Sequence, residues 1–273
     1  MGALYGILTA LSIGVSDLFG RRVVARRGAL VASMVIQAVA VVVSAMLLFV
    51  VDGDFVGRDV AIGLVSGVGM GVGLAGYLGG LARASSAIIA PTVAVLSAVI
   101  PFGYAVGRGA DASSWAVGGA VVAVGGLLLI TAGGGPVRNL SVGLIWGATS
   151  GLGYGVGLSI IQEATEESGA WPALAQRVAA CALMVVAVAR TQGRPPLTGV
   201  RLVGLAAGAA AALSTVFFLL GVQADPTPAV VTASMFPAVT VAVGRVVFHD
   251  DVSRRQVLGI GVVLIGVAGV VAA

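Results

Sequence analysis

Apolar positions along this chain come in long runs rather than at alternating or every-third-residue spacing. A membrane-crossing helix needs about 20 mostly apolar residues. Runs of that length cover 3–20, 29–51, 60–82, 86–107, 114–132, 141–161, 172–190, 200–221, 228–247 and 255–272. Period-two alternation is missing, which argues against a transmembrane barrel. The connectors are short and hold nearly all the charge, as in the arginine-rich stretch 21–27, Asp52-Gly53-Asp54 and Glu163-Ala164-Thr165-Glu166-Glu167. The pattern predicts an all-α membrane protein of ten transmembrane helices. Residues 3–20 have no separate positive region or small-residue cleavage site and read as a retained helix.

Composition sharpens that picture. Of 273 residues, 59% are hydrophobic and 10% charged, against roughly a quarter charged in an ordinary soluble domain. So few charges cannot coat a water-soluble surface, which excludes a soluble globule, a disordered chain and a nucleic-acid binder. The 42 glycines and 9 prolines have no collagen-like period, and both residues are frequent in membrane helices. The single Cys181 excludes an intrachain disulfide. All 15 basic residues are arginine. Twelve of them lie on alternate connectors, at Arg21, Arg22, Arg26, Arg27, Arg83, Arg138, Arg190, Arg194, Arg201, Arg245, Arg254 and Arg255. The positive-inside rule puts those connectors in the cytoplasm and both termini outside.

The two halves resemble each other across the helix-breaking segment Gly133-Gly134-Gly135-Pro136. Gly6 through Gly20 matches Gly143 through Gly157 at an offset of 137. Gly80 through Ala87 matches Gly221 through Pro228 at 141, and Gly119 with Gly126 matches Gly259 with Gly266 at 140. The division is a first five-helix unit over 1–132, a linker over 133–140, and a second unit over 141–273. Five is odd, so the second unit enters the membrane from the opposite side. That makes two inverted-topology repeats, an arrangement common in secondary transporters, with the substrate site near the midplane between them.

Two five-helix units, with Ser16-Asp17-Leu18-Phe19-Gly20 closing the first helix, resemble the EamA-type branch of the drug/metabolite transporter superfamily. So does the ending from His249 through Val267, in which Asp250 takes the acidic place and is followed by Gln256, Gly259 and Gly266. Pro237 stands at the family's mid-helix proline in the ninth helix, with Ser97 as its counterpart in the fourth. The resemblance covers essentially the whole chain and implies a transporter of small metabolites, without naming the solute. It also implies cytoplasmic termini, opposite to the arginine count, which is kept as the expectation.

Candidate pathway residues are the polar, kinked and aromatic positions inside the runs. Asp17, beside Ser16, is an intramembrane carboxylate. Such a charge costs about 2.5–3.5 kcal/mol at the bilayer centre on insertion scales and usually faces a cavity or a partner. It reads either as a proton or cation relay or as an interfacial partner of Arg21. Its repeat counterpart is Tyr154. Arg177 either snorkels to the outer interface, where Glu163, Glu166 and Glu167 lie near in sequence, or attracts an anionic substrate group. Pro91, Thr92, Ser97 and Pro101 in the fourth run, and Pro228, Thr232, Ser234 and Pro237 in the ninth, suggest helices interrupted at matching positions. Tyr77, Tyr104, Trp146, Tyr154, Phe217 and Phe218 lie within spans and line a cavity or an interfacial belt.

Other motifs carry no chemistry. Gly71-Val72-Gly73-Leu74-Ala75-Gly76 has dinucleotide-binding spacing but sits inside an apolar run without a preceding strand. Gly63, Gly67 and Gly71, like Gly147, Gly151 and Gly155, recur every four residues and suit close helix packing. His249 is the single histidine, which excludes a multi-histidine metal site. No cofactor and no enzymatic centre is expected. The expectation is a multi-pass inner-membrane transporter that moves a small metabolite or drug-like solute by alternating access, outward and with possible proton coupling. The alternatives are an uncoupled facilitator and a non-transporting membrane scaffold subunit. The expected partners are a small-molecule substrate, possible protons and the lipid bilayer.

Overall fold

A computed structural model describes all residues except 82, 85, 111, 132–138, 193–200, 237–238, 240–252 and 272–273. Its helices are α1 (Gly2–Arg27), α2 (Ala29–Leu47), α3 (Gly57–Leu81), α4 (Ser86–Gly107), α5 (Ser114–Thr131), α6 (Leu140–Ile161), α7 (Trp171–Thr191), α8 (Arg201–Ala224), α9 (Pro226–Ala233) and α10 (Arg254–Val271). A short 3-10 turn at Glu166–Ser168 precedes α7. No strand occurs among the described residues. Among the described residues, six helices are long and apolar enough to cross a membrane: α1, α2, α6 and α7, with Gly57–Tyr77 of α3 and Leu202–Ala224 of α8.

Most helices follow the apolar runs, which are bounded by a charge, a glycine or a proline. Two depart from them: α1 continues through the arginine stretch expected to be a connector as far as Arg27, and α9 ends at Ala233 within the ninth run. α1 turns into α2 through Gly28 alone, at φ 77°, a backbone region that glycine enters without penalty. Two expectations about proline need correcting. α4 runs unbroken from Ser86 to Gly107 through both Pro91 and Pro101. Pro228 does not interrupt α9 either; it lies in the first turn of a helix that begins at Pro226, where a missing N–H removes no intrahelical bond. Pro237 lies outside the described residues.

Packing relies on glycine because close backbone approach replaces hydrophobic driving force within lipid. Along α3, Gly63, Gly67 and Gly71 lie on Pro172, Gln176 and Leu183 of α7. Gly69, Gly73 and Gly76 lie on Gly157, Tyr154 and Ser150 of α6. Gly204 and Gly208 of α8 meet Val35 and Val39 of α2. Gly143, Gly147, Gly151 and Gly155 of α6 meet Ile88, Thr92, Leu96 and Ile100 of α4. Gly126 of α5 lies on Gly259 and Val263 of α10, while Gly266 of α10 lies on Gly119 and Ala123 of α5.

These pairings exchange when each helix of the first half is replaced by the one five places later. α3 packs on α6 and α1 on α8; α3 packs on α7 and α2 on α8; α4 packs on α6 and α1 on α9. α2 with α7, and α5 with α10, pair with their own counterparts. The connectors gather at two ends. At one, the Asn139 amide donates to Arg83 O at 3.2 Å, joining the approaches to α4 and α6. At the other, Asp54 N donates to Glu167 O at 2.7 Å.

Candidate functional site

The charged and polar groups at membrane depth converge on the helices that the glycines bring together. Tyr154 of α6 lies within electrostatic reach of Asp17 of α1, Tyr77 of α3 and Arg177 of α7. Tyr77 and Tyr154 both pack against the buried cluster of Ala84, Ile89 and Val93. Of the predicted pathway residues, Asp17, Tyr77 and Arg177 thus approach Tyr154 from three different helices. Asp17 is half-buried, and Ser16 beside it is buried. The expected Asp17–Arg21 pair lies outside the described side chains.

Arg177 does not snorkel. It is 4% exposed, and its guanidinium is held by neutral acceptors on two other helices. One terminal nitrogen donates to Gln37 Oε1 on α2 at 3.2 Å. The other donates to Ser214 Oγ at 3.3 Å and, over shorter contacts, to Ala211 O and Thr215 Oγ1 on α8. Gln37 and Arg177 stand 140 residues apart, at equivalent places of the two halves. Both hydroxyl hydrogens are already spent: Ser214 donates to Ala211 O at 2.8 Å and Thr215 to Gln176 Oε1 at 3.0 Å. The two terminal nitrogens thus face lone pairs, while the buried Nε has no hydrogen-bond partner among the described residues. Glu163, expected near Arg177, pairs instead with Arg108 and Arg58.

The network continues inward. Gln176 Nε2 donates to Ser66 Oγ at 2.7 Å, and Ser66 Oγ donates to Gly157 O at 2.7 Å. Ser150 Oγ donates to Gly73 O at 2.7 Å. Sequence reading missed Gln37, Ser66, Gln176, Ser214 and Thr215. Two glutamines within apolar runs were the available signal, since buried amides in lipid need partners.

The remaining candidates are dispersed. Thr92 and Thr232, 140 residues apart, make the same bond, donating to Ile88 O at 2.8 Å and Pro228 O at 2.6 Å. Ser97 and Ser234 likewise bond carbonyls of their own helices. Ser234 also lines an apolar cavity of about 250 Å³ between α4, α5, α9 and α10. Phe217 stacks on Tyr5 with centroids 6.5 Å apart. Trp146 lies at the Asn139 end under the Arg83 guanidinium, 4.8 Å from its centroid. Tyr104 lies at the opposite end, its hydroxyl donating to Glu163 Oε1 at 2.8 Å. Glu163 also meets Arg108 Nε at 2.9 Å and an Arg58 nitrogen at 3.8 Å. The Tyr104 hydrogen bond, with Arg108 and Arg58 adding to it, holds this carboxyl below the ordinary glutamate value. Pro91 is within α4.

Glycine-packed apolar helices around a buried polar core define a multi-pass membrane protein. Residues 141–272 match the EamA-like transporter family. No curated protein matches the sequence. A solved crystal structure of another protein superposes on 99% of this chain and 98% of its own, with a TM-score of 0.80 at 16% identity. At that identity the likeness shows the fold alone.

Proposed function

We propose that the protein moves a small metabolite or drug-like solute across the inner membrane by alternating access, as an exporter with proton coupling through Asp17. The observation that carries this reading is the exchange of helix pairings between the two halves. Two five-helix repeats of inverted topology, giving ten spans, account for that exchange. Such repeats allow one scaffold to open to either side around a fixed midplane site. The approach of Asp17 and Tyr77 to Tyr154 from different helices supports a polar site between the halves in this reading. Arg177 serves the scaffold in this reading through its terminal nitrogens, which hold α2 and α8.

The test is flux. Purified protein in liposomes, loaded with solutes that raise its thermal stability in detergent, is expected to accelerate their movement and to respond to a pH gradient. A folded protein that binds such solutes and moves none of them would overturn the reading in favour of a membrane scaffold.

A further inference from the structure

The two ends of the molecule are built differently, although the pairings between the halves exchange. The connection from α1 to α2 is Gly28 alone. Its counterpart between α6 and α7 spans 162–170 and is fastened to several neighbouring elements. Towards α4, Gln162 Nε2 donates to Pro101 O at 3.3 Å, and Glu163 takes the Tyr104 hydroxyl and Arg108. Towards α8, Gln223 Nε2 donates to Thr165 O at 3.1 Å. Towards α3, Thr165 N donates to the buried Asp59 carboxylate at 2.8 Å. Gln162 and Glu163 of the segment also line a cavity of about 310 Å³, together with Tyr104, Arg108, Val222 and Pro226, among others. The segment therefore crosses a mouth that has α4 of the first half on one side and α8 and α9 of the second on the other.

We infer that residues 162–165 form a strap that holds this mouth shut, with Glu163 as its releasable catch on α4. The inference rests on the alternating-access reading for its purpose but not for its geometry. Asp59 is buried and bound by Thr165, so that end of the strap is the anchor. Glu163 is the movable contact because its arginine partners are exposed, Arg58 by 61% and Arg108 by 65%. Exposed ion pairs are weak and break readily, which suits a catch that opens in every cycle.

Val222 lines the cavity and is 8% exposed, so a cysteine there reports opening. In a Cys181→Ser background, Val222→Cys is reacted with a membrane-impermeant maleimide, with Trp115→Cys as an exposed control. Glu163→Gln is expected to raise the rate at 222 about three- to tenfold, the scale of a lost ion pair and hydrogen bond, leaving position 115 unchanged. Arg108→Gln, a change at an exposed residue, is expected to act in the same direction and keeps the test decisive if the first variant folds poorly. An unchanged rate at 222 in folded variants overturns the strap. A raised rate in a protein that moves no solute leaves the strap standing and removes the transport reading.

Discussion

Arg177 shows how a buried charge is tolerated when its partners are chosen by geometry. Its planar fork spans Gln37 on α2 and Ala211, Ser214 and Thr215 on α8. Lysine keeps the charge but has no fork with which to reach both helices. Methionine gives up the hydrogen bonds, worth about 0.6 kcal/mol each on average in membrane proteins, but also removes the desolvated charge. Arg177→Lys should therefore lower the unfolding temperature in detergent more than Arg177→Met does; a lysine variant as stable as the parent would mean that charge alone matters here. Glu163, outside the bilayer, gives a pH test. Its carboxyl is held low first by Tyr104 and then by its arginines, so its contribution is complete above the ordinary glutamate value. That contribution is lost as pH falls through the lowered value in the folded protein. Acid unfolding curves of Glu163→Gln should be flatter than the parent's in that window.

At the scale of elements, small residues decide which helices meet. A Cβ built at Gly126 would stand 2.6 Å from Val263 N, and one at Gly266 would stand 2.4 Å from Ala123 N. Neither backbone neighbour can yield as a flexible side chain would, so α5 and α10 must part. Gly126→Ala and Gly266→Ala should each destabilise the protein by about 1–3 kcal/mol, and by similar amounts, because they occupy matching places in the pair. Gly261→Ala, with open space around its Cβ, should be neutral or stabilising by up to about 1 kcal/mol. Unequal costs at 126 and 266 in thermal denaturation would show that the matching of the halves stops short of this pair. The sequence made the elements legible because lipid demands long apolar runs, and even the glycine offset of 140 at positions 119 and 126 reappears as a mutual contact. The polar site was less legible. The sequence leaves Tyr104 and Trp146 to line either a cavity or an interfacial belt, because a tyrosine or tryptophan can end at either rim of a span and only helix register decides. Gln37 and Gln176 drew no notice because a single amide in an apolar run has no spacing to mark it.

For the whole molecule, positions about 140 residues apart carry different chemistry, and under the proposed two-repeat reading that difference gives the scaffold a direction. Gln37 faces Arg177, its own counterpart 140 residues on. Asp17 of α1 corresponds to Tyr154 of α6, and the two are near enough to interact. A proton carried by Asp17 therefore has no duplicate in the second half. Under the proposed alternating access, that carboxylate would meet first one side of the membrane and then the other. A carboxylate binds and releases a proton, whereas an amide of the same shape does neither. Asp17→Asn should fold normally, by unfolding temperature, and should lose solute accumulation driven by a pH gradient while keeping downhill exchange between equal pH values. Retained accumulation with unchanged pH dependence would remove Asp17 from the coupling and leave the uncoupled facilitator. Loss of both modes in a folded variant would assign the carboxylate to solute binding instead.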